Sequence, residues 1–81
     1  MKWETKFKKA LEAIEPPFKE MMAEFSAEDM EEVSRRAERD WDPPRKTAER
    51  ALGEAIVHVD FARWARAHPE EYYAMSGRRR V

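Results

Sequence analysis

Two Pro-Pro pairs, Pro16-Pro17 and Pro43-Pro44, most constrain what this chain can fold into. A proline has no backbone N–H to donate, and it drives the residue before it out of the helical region. No regular element runs unbroken through either pair. The 81 residues therefore divide into stretches, and each can be tested for the period of its apolar positions.

The period is helical almost throughout. Trp3, Phe7, Leu11 and Ile14 fall at i, i+4, i+8 and i+11, one stripe of a helix, with Glu4 and Lys8 paired on its solvent side. Pro16 displaces Glu15, so this helix ends near Ile14. Pro17 suits the first position of a second helix, in which Phe18, Met21, Met22 and Phe25 align. Ser26 reads as an N-cap, with Glu28 and Asp29 near the positive end of the next helix dipole. Met30, Val33, Ala37 and Trp41 form a third stripe, flanked by Glu31–Arg35 and Glu32–Arg36 pairs. Ser26 favours two helices, 17–25 and 27–40, over one bent helix.

After Trp41, Asp42 is able to cap, and Pro43 or Pro44 to open, a helix running from Arg45 to His68. Leu52, Ala55, Ile56, Val59 and Arg63 share its main face. The run Ile56-Val57-His58-Val59 has strand character. The flanking Ala, Glu and Arg are helix formers, however, and no second strand exists to pair with it. Gly53 costs a helix about 1 kcal/mol against Ala and marks a close helix crossing. Pro69 stops or kinks the helix. Glu70 to Met75 reads as a last short helix, with Gly77 as its C′ residue.

The expected fold is all-α: a bundle of four to five helices with no sheet. Residues 1–76 make one domain and residues 77–81 a basic flexible tail carrying Arg78, Arg79 and Arg80. The expected core is Phe7, Leu11, Ile14, Phe18, Met22, Met30, Val33, Leu52, Ile56 and Val59. Short connections favour antiparallel neighbours.

Composition narrows the function. Sixteen Lys plus Arg oppose seventeen Asp plus Glu, a net charge of -1, which argues against a nucleic-acid coat. Zero Cys excludes disulfides, Cys-ligated zinc and thiol chemistry, and two Gly exclude a Gly-rich phosphate loop. No apolar run spans a bilayer and no signal-peptide pattern opens the chain, so the expected setting is the cytoplasm, with no membrane partner.

No catalytic constellation survives inspection, and the chain reads as a non-enzyme that needs no cofactor. Glu54 and His58 stand i,i+4, with Asp60 close by. A metal site needs three or four ligands, and His68 is too far round the same helix to supply one. Glu54–His58 therefore reads as a local ion pair or packing contact, and no metal site is expected. Ser26, Ser34 and Ser76 have no nucleophile-elbow context. Glu28, Asp29, Glu31 and Glu32 read as a solvated helical face.

Three features point to binding. Phe18, Met21, Met22, Phe25 and Met30 form a soft apolar cluster, read first as core and second as a groove for a flat aromatic or tetrapyrrole ligand. Tyr72 and Tyr73 beside the arginine tail allow weak nucleic-acid association, although the slightly acidic chain opposes it. Val57, Phe61 and Trp64 make a second apolar stripe on the long helix, at spacings of four and three. A helix apolar on two sides is buried on two sides. Either a homodimer or another protein partner covers this stripe, or Glu70–Met75 folds back over it with Tyr72 and Tyr73. Trp41, at a helix end, is a further candidate for cover from outside the core.

Residues 2–25 resemble the small helical domain at the C-terminus of the B subunit of light-independent protochlorophyllide reductase, also found in short stand-alone bacterial proteins. Trp3, Leu11, Ile14, Pro16 or Pro17, Phe18, Lys19 and Met22 carry the likeness; Glu15-Pro16 departs from it as an insertion, and the family's later acidic-Tyr-Ala-Arg stretch is missing. The resemblance implies a helical module in a tetrapyrrole or redox-enzyme context, with no catalysis by this chain alone. The leading reading is a small protein-interaction module acting through Val57, Phe61 and Trp64.

Overall fold

The computed structural model describes residues 2–76. Five helices follow one another: α1 (Trp3–Ala13), α2 (Pro16–Met22), α3 (Ala27–Asp40), α4 (Ala48–Ala67) and α5 (Pro69–Ser76). Among the described residues there is no strand, and Ile56–Val59 lies inside α4. The fold is all-α, as the apolar spacing predicts. Gly77 and the tail with Arg78–Arg80 lie outside the described residues.

The helix boundaries follow local chemistry. Ile14 and Glu15 are extended, and α2 opens with Pro16 and Pro17 in its first two positions, where no N–H is missed. Ser26 separates α2 from α3 by a reciprocal cap. Its hydroxyl accepts from the Asp29 N–H at 3.1 Å, and its own N–H donates to the Asp29 carboxylate at 3.0 Å. Phe25 falls outside α2 and closes the turn by donating its N–H to the Met22 carbonyl at 3.0 Å.

The start of α4 differs from the expectation. Neither Asp42 nor the prolines open it. The backbones of Asp42 and Lys46 exchange two hydrogen bonds, at 3.0 and 2.8 Å, around a cis Pro43–Pro44 bond. The Lys46 carbonyl, which a helix from Pro43 would offer to the Arg50 N–H, accepts from the Asp42 N–H instead. The helix starts after them, with Thr47 as its cap: Thr47 Oγ1 accepts from the Arg50 N–H at 3.2 Å. At the other end His68 leaves the helical region and Pro69 begins α5.

Helix α4 is central and packs on each of the other four. Its inner face buries Ala48, Ala51, Leu52, Ala55, Ile56 and Val59; α3 contributes Val33 and Ala37, and the α1 segment Trp3, Ala10 and Ile14. Five buried alanines let the helices approach closely. Of the expected core, Ile14, Val33, Leu52, Ile56 and Val59 are buried. Phe7, Leu11, Phe18 and Met22 pack at its margin, and Met30 is half-buried. Gly53 marks the crossing of α2 on α4: a Cβ there would lie 3.4 Å from the Phe18 ring. Trp41 is half-buried at the core margin, its ring 5.3 Å from that of Trp3.

Candidate functional site: the outer face of α4

The outer face of α4 carries the second stripe, built by the spacing that the inner face leaves over. Val57 is 46% exposed and Phe61 43%, while Trp64 is half-buried. The Phe61 and Trp64 rings stack at 5.8 Å, and Trp64 stacks on His68 at 5.1 Å. The His68 Nδ1 lies 3.0 Å from the Trp64 carbonyl, which fixes the ring at the helix end.

The fold-back of the last segment is partial. Tyr72 of α5 meets the Phe61 ring at 5.8 Å and 60°, and Tyr73 meets Tyr72 at 5.6 Å. This covers one edge of Phe61 and leaves its front and Val57 open. Tyr73 and Met75 are themselves 45% and 60% exposed. The large apolar side chains exposed among the described residues thus all lie on α4 and α5.

An open groove of about 860 Å³ runs beside this stripe. Its floor is Ile14, Phe18, Gly53, Val57 and Phe61, so the corner between α1 and α2 forms one wall and α4 the other. Thr47, Arg50, Glu54 and His58 stand on its α4 rim.

The rim is charged: it carries Glu15 and Glu49 beside a paired Glu54. Glu54 accepts from Lys46 Nζ at 2.5 Å and from Arg50 Nε at 3.3 Å, and these bonds, Lys46 first, hold its carboxyl below the ordinary carboxylate range. Of the two readings of Glu54 and His58, the ion pair does not form: Lys46, just before α4, and Arg50, in its first turn, reach the carboxylate instead, and His58 is exposed. On α3, Glu32 takes both Arg35 and Arg36, and these hydrogen bonds lower its pKa as well. Among the described residues no three His, Cys, Asp or Glu side chains are grouped to hold a metal ion.

Of the Met/Phe cluster, only Phe18 lines the groove. Met21, Met22 and Phe25 pack against the core margin, and Met30 is half-buried. Phe25 is capped by the Arg63 guanidinium, 5.3 Å from its ring centre, and Arg63 also pairs with Asp29 at 3.4 Å. Residues that sequence reasoning did not assign to a site, Ile14, Arg50 and Gly53, complete the groove. Gly53 was the available signal, because a glycine inside a helix marks a close approach. Among the described residues, no helix is long and apolar enough to cross a membrane. In comparisons with protein-family models, curated proteins and solved structures, nothing matches this chain.

Proposed function

We propose that this chain is a non-enzymatic protein-interaction module whose working surface is the outer face of α4. The observation that supports it is the continuity of the exposed Val57–Phe61 stripe with the groove floored by Ile14, Phe18 and Gly53. An apolar, concave strip alongside a helix has the shape that receives another helix. The floor is apolar, and on the rim Glu54 is already paired with Lys46 and Arg50, so covering that carboxylate leaves it a partner.

The test is site-specific photo-crosslinking in the producing cell, with p-benzoylphenylalanine replacing Phe61 in one variant and Glu38, on the exposed side of α3, in a second. The expected result is one adduct from position 61 that maps to a single peptide of a single polypeptide, and none from position 38. No adduct at 61, or equal adducts from both positions, overturns the reading.

A further inference from the structure

We propose that the occupant of the groove is a basic amphipathic helix of a partner polypeptide, with an apolar face flanked by Lys or Arg. The proposal rests on the reading of the outer face of α4 as the interaction surface, and it names the chemistry of the partner. Its ground is the charge around the groove. Three carboxylates line it, those of Glu15, Glu49 and Glu54, against one guanidinium, that of Arg50. Glu54 already holds Arg50, together with Lys46 from outside the lining. Glu15 and Glu49 are exposed, and their carboxylates pair with nothing among the described residues.

The two free carboxylates stand on opposite walls. Glu15 belongs to the α1–α2 corner. Glu49 belongs to α4, where it begins the row Glu49, Gly53, Val57 and Phe61, each four residues from the next. That row is about 18 Å long at 1.5 Å per residue, which matches roughly three turns of a second helix. A helix laid on Phe18, Val57 and Phe61 draws the rim out of water. A carboxylate that loses water without gaining a partner weakens the complex, whereas one that meets a cation favours it and speeds the encounter. Lys46 and Arg50 are engaged by Glu54, so the cations for Glu15 and Glu49 come from the occupant, on both flanks of its apolar face. An acidic or uncharged helix leaves both carboxylates unmet. Lys and Arg also suit the place by shape: their methylene stems extend the apolar contact while the charged heads reach the rim.

The test titrates the full chain into two fluorescein-labelled helical peptides of about 14 residues and follows anisotropy. One carries a stripe of Leu flanked on both sides by Lys; in the other, Glu replaces every Lys. The Lys peptide should bind about tenfold tighter than the Glu peptide, and less tightly as salt rises. Glu15→Gln with Glu49→Gln should remove most of that preference, and Val57→Asn should weaken binding from the groove side. Glu31→Gln with Glu38→Gln, the same change of charge at exposed positions of α3, should leave it intact. All five positions lie outside the core, so the dichroism spectra should match that of the wild type. No binding of the Lys peptide up to about 1 mM, equal affinity for the two peptides, or an equal loss in the α3 variant overturns the proposal. A photo-crosslink from position 61 to a peptide without Lys or Arg beside its apolar residues, or to a second copy of this chain, also overturns it while the interaction surface stands. A blank at position 61 overturns both.

Discussion

The Trp3 indole N–H donates to the Ser34 hydroxyl at 3.0 Å, joining α1 to α3 across 31 positions of sequence. Trp3 is buried, and its ring also meets Phe7 at 5.7 Å and Trp41 at 5.3 Å. Ser34→Ala leaves that N–H without a partner in a partly buried place. The expected loss is about 1 kcal/mol, read as a lower denaturant midpoint with the slope unchanged. Trp3→Phe keeps most of the apolar contact and loses the donor as well. Combining the two should cost less than the sum of the single changes, because both remove the same bond.

Leu52 is fully buried at the centre of α4. Leu52→Ala should cost about 2–5 kcal/mol, since the helices around it cannot collapse fully into the space. A chain of this length has a total stability on the order of 4–12 kcal/mol, so a large part of it goes. Thermal unfolding followed by circular dichroism should show the midpoint fall sharply.

Gly53→Ala should be neutral or stabilise the chain by up to about 1 kcal/mol. Alanine restores helix propensity, and its methyl meets the Phe18 ring at 3.4 Å, an ordinary contact distance. Gly53→Leu should destabilise it, because a longer side chain must push α2 off α4. Chemical denaturation of the two variants separates fit from overlap.

The Ser26–Asp29 cap carries a pH signature. The Ser26 N–H, then its hydroxyl, and the charges of Arg63 and Arg66 hold the Asp29 carboxyl below its ordinary range. A group whose pKa falls on folding stabilises the native state above its unfolded pKa, near 4, and loses that contribution as pH drops through the lower folded value. Stability should therefore decline in acid below about pH 4, and less so in Asp29→Asn. Ser26→Ala should cost roughly 0.5–2 kcal/mol at neutral pH.

Much of this architecture was legible because helices announce themselves by period and punctuation. The Trp3–Ile14 stripe, the Ser26 cap and the break at Pro69 all rest on interactions within a few residues. The start of α4 was not legible. Asp42 and the prolines have the right local chemistry for an N-terminus, but the Asp42–Lys46 backbone pair overrides it, and Thr47 takes the role. The alanine core was hidden for another reason. Ala10, Ala37, Ala48, Ala51 and Ala55 are small, and only the packing of whole helices shows that they are buried. The same division holds at the groove. Val57, Phe61 and Trp64 follow from spacing on one helix, whereas the opposing wall of Ile14 and Phe18 depends on where the α1–α2 corner lands.

The central place of α4 also bears on how the chain is made. Synthesis runs from the N-terminus, and α1, α2 and α3 all find their buried faces on a helix that begins only at Ala48. Until Ala48–Val59 has left the ribosome, the faces that α1, α2 and α3 turn toward α4 lack the helix that buries them. The nascent chain thus emerges with much of its apolar surface uncovered until the long helix arrives.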